Sequence, residues 1–285
     1  MKLKLLIIMI ITKISDGFGN QLFMYACGYA ASRRLSTKLA LDLTYLSTNN
    51  LRNYELDKLN IVYDKIFTVD NIRYPLNIAV RKILHLIIRC QYNLFREKDT
   101  YKFDERISNI GENSYLFGYW QTEKYFKDYR EDILKMFTPN YELSQTCKLL
   151  VEKVKNSNSV AVHVRRGDYV KLGICLNLLY YKNAFAVLNK KFRNLTYFIF
   201  SDNVEYAKQM FKDMDGNFEY VENASSNTTL DDFFIMKECK HIIMANSSYS
   251  WWAAWLNANP NKIVIYPKDK QSITDFYPKE WIMVE

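Results

Sequence analysis

Histidine and glycine, the residues that build so many metal centres and phosphate loops, are scarce here: 3 His and 8 Gly in 285 residues. The five cysteines, Cys27, Cys90, Cys147, Cys175 and Cys239, are odd in number, widely scattered and free of any C-x-x-C pair. That spacing excludes a zinc ribbon or a disulfide framework and fits free thiols in a reducing compartment. Five prolines and few glycines rule out a collagen-like or linker-rich chain. No apolar run approaches the roughly 20 residues that span a bilayer. The longest, Leu5 to Ile11 behind Lys2 and Lys4, is too short for a signal peptide and lacks a small-residue cleavage site. We expect a buried first strand there, with Met9 as a second candidate start. Also absent are G-x-x-x-x-G-K-[ST], G-x-S-x-G and H-E-x-x-H, and Leu22 stands where a G-x-G-x-x-G begun at Gly17 would place its third glycine. P-loop enzymes, ordinary dehydrogenases, hydrolases and zinc proteases lose their support.

What remains is rich in core-forming residues, 49% hydrophobic and 15% aromatic with 22 Tyr and 17 Phe, so the chain is globular. Its net charge of +8, from 39 Lys and Arg against 31 Asp and Glu, suits a nucleic acid, an anionic membrane or a phosphorylated small molecule, and equally an ordinary basic surface. Short β-branched runs alternate with helix-like stretches. Strands are expected at 5–14, 38–43, 114–118, 159–164, 196–201, 241–246 and 262–267. Helices are expected at 22–35, 122–137 (ended by Thr138-Pro139), within 140–158, from Val204, and at 251–258. Apolar strands alternating with helices predict parallel sheets covered on both faces, an α/β fold. The polar break at 150–158 divides the chain into domains 1–153 and 154–285. Within 73–98, Val80, Ile83, Leu84, Ile87 and Ile88 fall at helical spacing among Arg81, Lys82, Arg89, Arg96 and Lys98. This is a basic amphipathic helix, fit either to pack on its own domain or to lie on an anionic membrane.

In open parallel sheets ligands bind beyond the carboxyl ends of strands. Three polar clusters follow expected strands in the second half: Arg165-Arg166-Gly167-Asp168-Tyr169, Ser201-Asp202-Asn203, and Asn246-Ser247-Ser248-Tyr249-Ser250. Paired guanidiniums fit phosphate oxygens bidentately, and the Asn/Ser segment opens a helix whose free amides favour an anion. Asp202 and Asn203 suit a ribose or a base edge. Plainer roles compete: Ser247, Ser248 or Ser250, and likewise Asp202, would serve as helix N-caps, and R-G-D marks exposed turns. If the three strands are neighbours, the clusters describe a nucleoside diphosphate site. The first strand ends in Asp16-Gly17-Phe18-Gly19-Asn20-Gln21, a turn whose glycines let a ligand approach the backbone. Asp213-Met214-Asp215 has the spacing of a metal-binding D-x-D, but its place in KDMDGNF reads better as a helix end and turn.

Taken together, DGFGNQLFMYA (16–26), HVRRGDY (163–169), FSDN (200–203) and CKHIIMANSSYSWWAAWL (239–256) resemble the motifs of bacterial α-1,2-fucosyltransferases of glycosyltransferase family 11, in the family's order and across nearly the whole chain. The family's glycine turn begins G-G, and Asp16 replaces the first glycine. The resemblance implies a GT-B-like α/β fold, two Rossmann-like domains facing a cleft. It also implies inverting transfer of L-fucose from GDP-β-L-fucose to a galactose 2-hydroxyl, with no metal or other cofactor. The second domain would hold GDP and the first most of the acceptor, a galactose-containing oligosaccharide, lipid-linked in O-antigen or surface polysaccharide synthesis. Arg165 and Arg166, Arg166 foremost, would stabilise the leaving diphosphate with Asn20 and the turn formed by Gly17, Gly19 and Gln21. His163 would orient the loop or touch a phosphate; Ser201, Asp202 and Asn203 would hold ribose or guanine, and Asn246, Ser247, Ser248 and Ser250 the pyrophosphate. Asp16 and Asp168 are the carboxylates available as base. The implied location is the cytoplasm, with peripheral contact at the inner membrane face through 73–98. A fucosyltransferase of another linkage, such as α-1,6, and a nucleotide-sugar or glycan binder without turnover stay open as alternatives; no nucleic-acid motif is present.

Overall fold

The computed structural model describes residues 8–48, 52–68, 79, 82–83, 86, 91–222, 228–272 and 274–285. The chain divides into two compact units, Met1–Tyr141 and Glu142–Glu285. This division lies ahead of the expected 153/154. The helix after it, Gln145–Asn156, belongs with the second unit because its buried face, Cys147 and Val154, packs there. The Ser159 hydroxyl donates to the Val154 carbonyl at 2.6 Å and so ties the helix to the strand that follows.

In the first unit β1 (Met9–Lys13) leads into α1 (Phe18–Arg34), followed by β2 (Lys38–Asp42), β3 (Lys65–Phe67), β4 (Asn93–Arg96), β5 (Ser114–Phe117) and α2 (Arg130–Met136). The sheet runs β3-β2-β1-β5-β4 with every described pairing parallel. Helix α1 is apolar nearly all round and buried from Phe18 to Ser32 apart from Asn20, as a helix at the centre of a layered fold should be. It begins at Phe18, not Leu22, so FGNQ forms its first turn. The helix expected over 122–137 is broken: Tyr125 and Phe126 both face the core, and Phe126 leaves helical geometry at φ −145°, ψ 0°. Only Arg130–Met136 is α-helical.

The 73–98 segment ends otherwise than expected. Asn93–Arg96 is a strand, paired with Ser114–Phe117, so Arg96 belongs to the sheet. Of the remainder, Ala79, Lys82, Ile83, Leu86 and Gln91 are helical, with Ile83 and Leu86 exposed, while Val80, Arg81, Leu84, Ile87, Ile88 and Arg89 lie outside the described residues. No helix among the described residues is long and apolar enough to cross a membrane.

The second unit contains α3 (Gln145–Asn156), β6 (Ser159–Val164), α4 (Gly167–Leu172), α5 (Leu178–Lys191), β7 (Thr196–Ser201), α6 (Val204–Phe211), β8 (Asn217–Tyr220), α7 (Thr228–Glu238), β9 (His241–Ile243), α8 (Ser248–Leu256), β10 (Val264–Pro267) and β11 (Ile282–Val284). The sheet order is β11-β10-β9-β6-β7-β8, again parallel throughout the described pairings. Every residue of β6 is buried, which is why SVAVHV reads as a continuous apolar run. Helix α8 carries Trp251, Trp252 and Trp255 into the core, and the Trp251 indole donates to the Phe276 carbonyl at 2.7 Å. Asp213 and Asp215 lie in the turn between α6 and β8, and among the described residues no three His, Cys, Asp or Glu cluster as a metal site.

Candidate functional site

Strands β9, β6 and β7 are neighbours, so their three polar clusters emerge side by side at one carboxyl edge. The register pairs Val164 with Ser201, which brings Asp202 next to Arg165. Arg165 is held twice, with Nη1 2.8 Å from Asp202 Oδ2 and Nη2 2.8 Å from Asp168 Oδ1. The Arg166 main-chain amide donates to the other Asp202 oxygen at 2.8 Å. Asp202 therefore locks the loop rather than capping α6; Asn203 is the cap, accepting from the Tyr206 amide at 3.0 Å. Ser201 and Asn203 bond each other through hydroxyl and main chain. The glycine of R-G-D also has its reason: a Cβ on Gly167 would lie 2.7 Å from Asp202 Oδ2. Asp168, a candidate base in the sequence, is an arginine partner here.

Arg166 is built differently. Among the described residues it forms no ion pair; its guanidinium lies 3.7 Å from the Tyr206 ring centroid, and its Nε is buried without a hydrogen-bond partner. His163 is buried at the end of β6 with its ring 5.4 Å from that of Tyr249, and its Nδ1 is likewise unpartnered. Burial first, then the Arg165 charge, pushes its pKa down to about 3, so the imidazole is neutral at physiological pH. Asn246 donates to the Ile174 carbonyl at 3.0 Å, and its own carbonyl accepts from the Tyr169 hydroxyl at 3.0 Å. Its Oδ1 is the third unpartnered buried atom on this edge. Buried polar atoms without partners are uncommon in folded proteins, and three lie at the sheet edge where a polar ligand is expected. Ser247 does cap α8, through the Tyr249 amide at 3.3 Å. Ser250 is fully buried and bonds the Ala245 and Ser247 carbonyls, so the helix uses both hydroxyls itself. Ser248 opens α8, where first-turn amides favour an anion.

In the first unit Asp16 adopts φ 65°, the left-handed region that favours glycine. Its Oδ2 accepts from the Ser15 hydroxyl at 2.8 Å and the Tyr119 hydroxyl at 2.9 Å. Gly17 is the N-cap residue of α1, and Gly19 is inside the first turn. Asn20 Oδ1 accepts from Gln121 at 2.7 Å, while its Nδ2 donates to no described residue. Gln21 is fully buried, donating to the Asp16 and Asn53 carbonyls and accepting from the Glu55 amide, a structural brace. Tyr206, Tyr119, Gln121 and Glu97 escaped the sequence reading. For Tyr119 and Gln121 the signal was present: YWQ follows the expected strand 114–118, where the strand-end rule applies as well as it does after β6.

Residues 8–285 match the model of glycosyl transferase family 11. The chain belongs to that family. It is 32% identical over 292 residues to an α-1,2-colitosyltransferase of Escherichia coli, covering 97% of this chain and 99% of that protein. It is 32% identical over 283 residues to the O-antigen biosynthesis glycosyltransferase WbnK of the same species, covering 90% and 92%. Among solved structures, the α-1,6-fucosyltransferase NodZ soaked with GDP-fucose superposes with a TM-score of 0.53 at 15% identity, covering 87% of this chain and 92% of that one. The family 11 chain thus has a GT-B-like fold of two parallel α/β units, as the sequence led us to expect.

Proposed function

We propose that this family 11 glycosyltransferase is an inverting enzyme that moves L-fucose from GDP-β-L-fucose to the 2-hydroxyl of a galactoside in O-antigen or related surface polysaccharide synthesis. The observation that carries the donor half is Arg166: a cation without a carboxylate partner among the described residues, held by its own main-chain amide to Asp202 and stacked on Tyr206. Leaving GDP develops negative charge on its β-phosphate, and a fixed guanidinium there stabilises the transition state more than the ground state. Asn246 and neutral His163 offer further polar contacts, and the first turn of α8 offers amides to the diphosphate. Arg165 supports this site through its two carboxylates instead of binding the phosphate itself. The chemistry needs no metal in this reading, and the acceptor is a lipid-linked glycan at the cytoplasmic membrane face.

A second donor has specific support. The α-1,2-colitosyltransferase aligns along nearly the full length of the chain, and colitose is the 3-deoxy counterpart of L-fucose, so the same diphosphate site would serve GDP-colitose. Offering both GDP-sugars with a β-galactoside acceptor, with and without chelator, and determining the product linkage is the direct test. Transfer of fucose in α-1,2 linkage without added metal is the expected result. Preference for GDP-colitose reassigns the donor, an α-1,6 product reassigns the linkage, and GDP binding without turnover favours a binding protein.

A further inference from the structure

Asp16 occupies a backbone conformation that disfavours side chains other than those of Gly, Asn and Asp. Strain of this kind persists where the surrounding structure enforces it, often for function. Both hydrogen bonds to its carboxylate run to Oδ2, from Ser15 and Tyr119; Oδ1 accepts none from any described residue. The main-chain oxygen is tied as well, accepting from Gln21 Nε2 at 2.8 Å. The carboxylate is thus fixed by one oxygen and presents the other.

Tyr119 is in turn fixed by Glu97, which follows β4. Its amide donates to Glu97 Oε2 at 2.7 Å, and the next amide, of Trp120, donates to both Glu97 oxygens at 3.0 and 3.1 Å. The turn is built round this carboxyl group: a Cβ on Gly118 would come within 2.6 Å of Glu97 Oε2, and Trp120 has φ 58°. The Tyr119 side chain is 36% exposed at the carboxyl edge of the sheet. Burial and then the Asp16 charge push its pKa up to about 12, so its hydroxyl stays a donor at neutral pH.

We propose that Asp16 Oδ1 receives the reacting hydroxyl of a neutral pyranoside acceptor, and that Tyr119 and Glu97 are positioning residues that aim this carboxylate. This rests on the transferase reading above. As the acceptor oxygen bonds to the fucosyl anomeric carbon, its proton passes to Asp16 Oδ1, and the bond from that carbon to the β-phosphate oxygen breaks with its electron pair leaving on GDP. Tyr119 keeps its own proton throughout and holds Oδ2.

The test uses GDP-fucose with methyl β-galactoside, and GDP binding measured separately. Asp16→Asn and Asp16→Gly are expected to lose transfer by about 10²-fold or more with GDP affinity unchanged. Asp16→Gly should also keep or raise the melting temperature, because glycine relieves the left-handed strain. Tyr119→Phe is expected to lower kcat about tenfold and to move the acid limb of the kcat profile to higher pH, since a carboxylate deprived of a donor is a stronger base. Glu97→Gln should move the same limb by less. Normal transfer by Asp16→Gly, or a Tyr119→Phe profile with its acid limb unmoved, overturns the proposal while leaving the donor reading intact. A wild-type chain that does not bind GDP overturns the donor reading itself.

Discussion

At the end of β6 a cation is set in place by carboxylates, whereas at the end of β1 a carboxylate is set in place by neutral hydroxyls and a backbone turn. Both edges divide the labour alike. One group is consumed by the scaffold (Arg165; Asp16 Oδ2), and its neighbour is left without an ion pair or hydrogen bond from its side chain among the described residues (Arg166; Asp16 Oδ1). The chemistry differs as the proposed tasks differ: a diphosphate at one edge, a neutral hydroxyl at the other. Adjacent arginines in a sequence need not share a role, and here one is paired with two carboxylates while the other lies over an aromatic ring.

The largest expected effect tests that split directly. Arg166→Ala should reduce transfer by about 10²–10³-fold with little change in thermal stability, and Arg166→Lys should recover only a small part because a point charge replaces a planar fork. Wild-type turnover in the lysine variant would place the acting group elsewhere. Gly167→Ala comes next: the new methyl meets Asp202 Oδ2 at 2.7 Å and should weaken GDP binding about tenfold by displacing the loop, a cost near 1.4 kcal/mol. Asp202→Asn keeps the bond from the Arg166 amide but removes one charge from Arg165; calorimetry with GDP should show a smaller loss than Gly167→Ala causes. If it shows the larger loss, Asp202 contacts the nucleotide as well as the loop.

The smallest effect is on pH dependence. His163 has its pKa depressed to about 3, so as pH falls below about 6.5 the unfolded chain takes a proton that the folded chain refuses, and stability drops. His241, depressed by burial, acts in the same direction. Glu97 has the opposite sign: burial raises its pKa from 4.5 to about 7 despite the amides of Trp120 and Tyr119, so its contribution is lost as pH rises through that window. His163→Phe should therefore narrow the fall in melting temperature between pH 7 and pH 5, and an unchanged fall would show that His163 is protonated in the folded protein.

How much of this was legible follows from burial. SVAVHV and TYFIFS span 159–164 and 196–201, and both are strands over those residues, because central strands of a parallel sheet are buried on both faces and apolar throughout. The strands Lys65–Phe67, Asn217–Tyr220 and Ile282–Val284 went unread, since each lies at a sheet edge, is three or four residues long and is half exposed. Helix α5 was missed too, although Asn177 caps it. At the site, residue types announced an anion pocket, but partner choice is tertiary. Nothing in FSDN distinguishes Asp202 the clamp from Asn203 the cap, and Glu97 acts through amides that any residues at 119 and 120 would supply.

Four of the five tryptophans, Trp251, Trp252, Trp255 and Trp281, lie in the second unit, and Trp120 alone lies in the first, one residue beyond Tyr119. Trp120 is fully buried, stacked on Phe95 at 5.8 Å and edge-on to Tyr125 at 5.3 Å. The molecule therefore carries a built-in pair of optical probes of unequal strength. Most of its indoles report on the core of the second unit, and replacing Trp120 by Phe should subtract the signal of the first unit's turn alone, so the melting of each half can be followed without attaching a dye.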